Sequence, residues 1–203
     1  MLRDFRWRRR QKKKLREWEQ NGRQTNPPAI LKQMTVEEYA RRYNIPVLIE
    51  TGTYKGHMLL AMRRVFERLY SIELDETLFR NAVDRLKKFS HIHIRQGDSG
   101  DLLDVVLSEA RGPCLLWLDA HYSGGKTARG INDTPIGREL RTVFKYQDKI
   151  QVILIDDAGD FVGGGDYPAL EELENLVRSE CPDRTFEVRD DIIRICPATA
   201  ITD

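Results

Sequence analysis

LLWLDAHYSGGKTARG, residues Leu115–Gly130, can be read in two ways. Its Gly125-Lys126-Thr127 ending resembles the tail of a phosphate-cradling loop, yet the stretch opens as an apolar strand that stops on Asp119. A phosphate loop of the GxxxxGK type needs a glycine at position 120 and a helix directly after Lys126-Thr127. Position 120 is Ala, and Ala128-Arg129-Gly130 continues irregularly to Asp133-Thr134-Pro135. Only there does a helix begin, with Thr134 or Asp133 as its cap and Pro135 at its first position. The stretch is thus a strand that delivers Asp119, then His121 and Tyr122, to a glycine-rich loop carrying Lys126 and Arg129.

Working outward, the chain repeats this strand-then-helix pattern. VLIET is followed by HMLLAMRRVF, LYSIE by DETLFRNAVDRLKKF, IHIRQ by DLLDVVLSEA, CLLWLD by PIGRELRTVFKY, and QVILID by YPALEELENLVRSE. Five such units imply a parallel sheet covered on both faces. FEVRDDIIRIC then closes the chain as a hairpin around Asp190-Asp191, adding an antiparallel pair at one edge. The expected fold class is α/β: a doubly wound, Rossmann-like sheet of seven strands, mostly parallel, with an antiparallel C-terminal hairpin.

The 203 residues fit one domain with a decorated edge. Residues 1–45 read as a basic helical extension and linker, and residues 46–203 as the catalytic-size domain. In the linker region Thr35 and Glu38 have capping-box spacing, which predicts a short helix starting there. Residues 1–23 hold ten Lys and Arg against Asp4, Glu17 and Glu19, so they carry +7 and the remainder carries −6 of the net +1. Arg8-Arg9-Arg10 and Lys12-Lys13-Lys14 are interleaved with Phe5, Trp7, Leu15 and Trp18. Three readings of this segment stand side by side: a helix on an anionic membrane surface, a contact for RNA, or a solvated helix packed on the core through Leu15 and Trp18. No apolar h-region follows Met1-Leu2-Arg3-Asp4, so a secretory signal is not expected. Cys114, Cys181 and Cys196 are odd in number and widely spaced, which argues for reduced thiols and a cytoplasmic protein, peripheral to the inner membrane face if the basic segment adsorbs there.

Ligands of open α/β sheets bind at the carboxyl ends of the strands. At the first of these ends, VLIETGTYKG brings together Glu50, Thr51, Gly52, Thr53, Tyr54 and Gly56, a turn whose glycines allow close backbone approach to a ligand. Glu73 ends the second strand 23 residues after Glu50, near the ~20-residue offset at which an acid reaches a ribose diol. Asp98 and Ser99 end the third, where an adenine amino group could be read; Asp98 also suits a helix N-cap. Asp119 ends the fourth and Asp156-Asp157 the fifth. Three carboxylates at two adjacent strand tips suit a hard divalent cation such as Mg²⁺. The alternative has Asp119 and Asp156 capping loops and Asp157 solvated.

Over about residues 46–196 this pattern resembles the class I S-adenosylmethionine-dependent methyltransferases. The resemblance implies that Glu50 and the glycines hold the methionine moiety, Glu73 the ribose, and Asp98-Ser99 the adenine side. Many members carry a further glycine where this chain has Thr53-Tyr54. The acidic positions are similar to those of the macrocin O-methyltransferase family, which methylates sugar hydroxyls with Mg²⁺; the resemblance implies that Asp119, Asp156 and Asp157 hold the metal. Where that family has a second Asp, viewed as the general base, this chain has His121. The LDAHYSGG wording also resembles small bacterial methyltransferases. The expected function is an S-adenosylmethionine-dependent O-methyltransferase of a sugar or glycan hydroxyl, metal-assisted, with His121 and Asp119 catalytic. Lys126 and Arg129 either bind an anionic acceptor or are solvated. The competing readings are an RNA methyltransferase, suggested by the basic segment although no NPPY-like motif is found, and a non-catalytic cofactor-binding scaffold in glycan assembly.

Overall fold

Runs of branched aliphatics without polar alternation form strands buried on both faces. In the computed structural model, which describes residues 2–23, 26–119 and 134–198, these runs become strands at the expected places. They are β1 (Val47–Thr51), β2 (Arg68–Glu73), β3 (Ile92–Gln96), β4 (Cys114–Leu118) and β5 (Ile150–Ile155), then β6 (Arg184–Arg189) and β7 (Ile192–Pro197). Every residue of β1 and β4 is buried. The sheet order is β3-β2-β1-β4-β5-β7-β6, parallel from β3 to β5 and antiparallel at β7 and β6. Asp190 and Asp191 form the hairpin turn with φ of 53° and 59°, the positive pair a two-residue turn needs to follow the strand twist.

Seven helices cover the sheet and its flank: α1 (Leu2–Gln20), α2 (Ala29–Arg42), α3 (His57–Met62), α4 (Glu76–Leu86), α5 (Ser99–Glu109), α6 (Ile136–Val143) and α7 (Leu170–Glu180) among the described residues. Alternate strand residues point to opposite faces. Leu48, Leu69, Leu115, Trp117 and Leu154 pack with Val36 and Tyr39 of α2, Tyr43 just beyond it, and Met58, Leu59 and Met62 of α3. Ile49, Ile72, Leu116, Leu118 and Ile155 pack on the other face with Leu103 and Leu107 of α5, Leu140 of α6 and Val177 of α7.

Three helix boundaries differ from expectation, one being α6, which starts at Ile136 with Pro135 as its N-cap rather than at Pro135 behind Thr134 or Asp133. Thr35 is not a cap but a buried residue within α2, which starts at Ala29 behind Pro28. Pro27-Pro28 cannot continue a helix from upstream yet suits a helix entry, and Ile30 anchors the early turns in the interior. Helix α3 ends at Met62, earlier than the apolar run to Phe66 suggests. On α1, Trp18 is buried and Leu15 half-buried, while Arg9, Arg10, Lys12, Lys13, Lys14 and Arg16 are exposed. Arg23, just beyond α1, donates to Asp190 Oδ1 at 2.7 Å. No helix among the described residues is long and apolar enough to cross a membrane.

Candidate active site

Register and parity assemble the site. Glu50 pairs with Trp117 across β1–β4, and Leu118 with Ile155 across β4–β5, so the three strands end level with one another. Glu50 follows Leu48 by two residues, Asp119 follows Trp117, Asp156 follows Leu154, and Glu73 follows Ser71. All four acids therefore emerge toward the α2–α3 side of the carboxyl edge.

At the β1 end the chain turns through Gly52 (φ 82°), Tyr54 (φ 48°) and Gly56 (φ 65°). Tyr54 thus adopts the left-handed conformation that glycine takes most readily. Glu73 stabilises that path: its Oε2 accepts from the Tyr54 amide at 2.6 Å and its Oε1 from the Asp75 amide at 3.0 Å. Glu50 accepts from Ser71 Oγ at 2.7 Å, and Ser71 is joined to Thr53 Oγ1 at 2.6 Å. Burial pushes the Glu50 carboxyl up to about 8, with the Ser71 hydrogen bond opposing and the Glu73 charge reinforcing the rise. Burial also raises Glu73, against the backbone amides it accepts from. Thr51 is buried facing the opposite side, and its hydroxyl lies 3.3 Å from the Asp119 amide.

Asp98 caps α5, accepting from the Gly100 amide at 2.8 Å, and receives both its oxygens' worth of donation from Arg138 of α6 at 2.9 and 2.8 Å. Ser99 Oγ is buried with no hydrogen-bond partner among the described residues. An orphaned hydroxyl, a buried acid and a left-handed glycine turn, all at one sheet edge, fit the adenosyl and amino-acid ends of S-adenosylmethionine.

The acids of β4 and β5 also converge. One oxygen from each of Asp119, Asp156 and Asp157 lies within 4.8 Å of the others. Asp157 takes φ of 51° at the turn after β5. Asp156 is buried, and its Oδ1 has no partner among the described residues. An all-oxygen donor set with an unsatisfied buried oxygen fits Mg²⁺. Lys32 of α2 enters this cluster, its Nζ 2.5 Å from Asp156 Oδ2 and 3.1 Å from Asp157 Oδ1. Burial lowers the Lys32 pKa, but Asp156, Asp157 and Asp119 together outweigh it and hold the ammonium above its usual value. Burial raises Asp156, and Lys32 pulls it back.

Beside the acids, Leu118, Thr134, Ile136, Glu139, Ile155, Asp156, Phe161 and Tyr167 line a recess between α6 and the tips of β4 and β5. Glu139 is buried, with Oε1 unpartnered among the described residues. Burial pushes it up to about 7, against the nearby hydroxyls of Ser99 and Thr51, which favour its charge although neither meets hydrogen-bond geometry with Oε1.

Glu50, Thr51, Gly52, Thr53, Tyr54, Gly56, Glu73, Asp98 and Ser99 thus share one edge with Asp119, Asp156 and Asp157. His121, Tyr122, Lys126 and Arg129 lie outside the described residues. Sequence reading missed Lys32, Arg138 and Glu139. Glu139 left a signal, since Ile136, Glu139, Leu140 and Val143 form a helical stripe with one acid inside it. Lys32 left none, being one of 33 Lys and Arg residues.

No family model matches the chain, and no curated protein matches it. Solved structures do. The chain is similar to the O-methyltransferase TomG from Streptomyces achromogenes, involved in tomaymycin synthesis and solved with S-adenosylmethionine (16% identity, TM-score 0.58, 82% of this chain and 79% of that one). It is similar to an O-methyltransferase from Bacillus cereus in complex with S-adenosylhomocysteine (14%, TM-score 0.56, 82% and 80%). It is also similar to the 23S rRNA methyltransferase ErmE (13%, TM-score 0.53, 85% and 70%). Identities this low speak to architecture alone, and the architecture of this chain is the class I S-adenosylmethionine-dependent methyltransferase fold.

Proposed function

We propose that the chain is an S-adenosylmethionine-dependent O-methyltransferase, assisted by a divalent cation and acting on a sugar or glycan hydroxyl. The observation that carries this reading is the convergence of Asp119, Asp156 and Asp157 at the sheet edge that also holds Glu50 and Glu73. The sugar class is supported by the resemblance of these three acids to those of the macrocin O-methyltransferase family.

When bound, S-adenosylmethionine supplies an activated methyl group on a sulfonium, and Mg²⁺ supplies a Lewis acid that lowers the pKa of a bound hydroxyl. The turn from Glu50 to Gly56 would hold the methionine end, Glu73 the ribose, and Asp98 with Ser99 the adenine side. Asp119, Asp156 and Asp157 would hold the cation. His121 would take the proton of the acceptor hydroxyl, histidine being the side chain that changes charge near neutral pH. Alignment does the rest, because a held acceptor oxygen needs little more than in-line approach.

The test runs methyl transfer against sugar nucleotides, glycans and RNA, with and without chelator, alongside calorimetric titration of the cofactor. The expected result is transfer to a sugar hydroxyl that chelation abolishes while cofactor affinity stays unchanged. Full activity in excess chelator, with the product confirmed by mass spectrometry, would overturn the metal role; absence of cofactor binding would overturn the whole reading. A second reading, RNA methylation, is favoured by the exposed basic face of α1, and transfer to RNA alone in the same panel would select it.

A further inference from the structure

Three carboxylates gathered within 4.8 Å of one another repel, and the cluster is held together by a cation. In this chain that cation is the Lys32 ammonium. The Lys32 ammonium lies 2.5 Å from Asp156 Oδ2 and 3.1 Å from Asp157 Oδ1, with a side chain only 19% exposed. It reaches the acids from the fourth residue of α2, a helix fixed to the sheet by Val36, Tyr39 and Ala40. A divalent ion would need oxygens of the same acids at about 2.0–2.6 Å. Even an ion entering at the unpartnered Asp156 Oδ1 would face the ammonium across one carboxylate, where like charges oppose each other.

We propose that Lys32 is the resident cation of the Asp119–Asp156–Asp157 cluster and that a divalent ion binds there only by displacing its ammonium. Metal binding is thereby coupled to the position of the Lys32 side chain and, through it, to α2. The proposal rests on the metal role given above. It goes beyond it in assigning a competitor built into the fold, which makes Lys32 a positioning residue for the acids rather than a catalytic one.

The test uses Mn²⁺, an oxygen-seeking ion whose free concentration is read by electron paramagnetic resonance, titrated into the unmutated 203-residue chain, Lys32→Met, Lys32→Arg, Asp156→Asn and the double variant Lys32→Met/Asp156→Asn. Lys32→Met is expected to bind Mn²⁺ at least about tenfold more tightly than the parent, since a nearby positive charge is removed. Lys32→Arg should stay near the parent, and the double variant should lose the gain. In the unmutated protein, saturating Mn²⁺ should increase several-fold the rate at which Lys32 is reductively methylated, followed by peptide mass spectrometry. Equal or weaker binding by Lys32→Met, with Asp156→Asn still lowering it, overturns the competition and leaves the metal role standing. Binding that Asp156→Asn does not alter, or no binding at all, overturns both. If Lys32→Met fails to fold, the labelling decides alone, and a rate indifferent to Mn²⁺ overturns the proposal.

Discussion

Glu139 shows how a single side chain reports on its surroundings. A carboxyl on the apolar stripe of α6 must either find donors or stay protonated, and burial pushes this one from 4.5 up to about 7. The folded state therefore binds its proton more tightly than the unfolded state. The stability that follows is fully present below about 4.5 and lost as pH rises through about 7. Glu139→Gln, which carries no charge to bury, should stabilise the protein by on the order of 2–3 kcal/mol at pH 8.5 and by little at pH 5, read from urea unfolding midpoints. Glu73 poses a different case, because its oxygens already accept from the Tyr54 and Asp75 amides. Its removal loosens the turn as well as the proposed ribose contact. Glu73→Ala should weaken S-adenosylhomocysteine binding by roughly 1.5–3 kcal/mol, about 10- to 150-fold in calorimetry; an unchanged affinity would show that Glu73 serves the turn alone.

At the scale of elements, α1 and α2 differ in kind although they are neighbours in sequence. Helix α1 buries Trp18 and offers an exposed basic face, whereas α2 contributes Val36, Tyr39 and Ala40 to the core and Lys32 to the acids. Deleting residues 1–23 should leave a folded protein with unchanged cofactor affinity but weaker adsorption to anionic vesicles and polyanions. The adsorption of the full chain should fade with salt, as screening requires. Deleting residues 1–45 should instead abolish cooperative unfolding, because each large apolar side chain removed from a core costs several kcal/mol against a total of about 5–15. Circular dichroism melts of the two deletions separate these outcomes, and a cooperative transition in the longer deletion would show that the sheet stands without α2.

For the molecule as a whole, the carboxyl edge gathers buried acids whose pKa values burial pushes up. Glu50, at about 8, adds to Glu139, at about 7, against 4.5 for both when unfolded. Both shifts are upward, so between about pH 5 and pH 8.5 these two acids hold more protons in the folded protein than in the unfolded chain, and the stability they contribute is lost as pH rises. The urea midpoint should fall across that range, and the double variant Glu50→Gln/Glu139→Gln should flatten the dependence. A midpoint that rises with pH would mean that both acids are ionised and paired when folded.

What the amino-acid sequence determined by itself was the order of the elements and the row of acids at the strand ends. Runs such as VLIET and QVILID are too apolar and too branched to be anything but buried strands, and Asp190-Asp191 suits a turn requiring positive φ. Locating the carboxyl ends of β1, β2, β4 and β5 already named Glu50, Glu73, Asp119 and Asp156, each within one residue of its strand's end. Tertiary structure alone decided who meets those acids. Lys32 reaches Asp156 across 124 positions of chain and Arg138 reaches Asp98 across 40. Neither contact has a local period or motif, since each depends on how a helix is laid against the sheet. That placement is set by the summed burial of side chains such as Tyr39 and Leu140, a non-directional force no short stretch records.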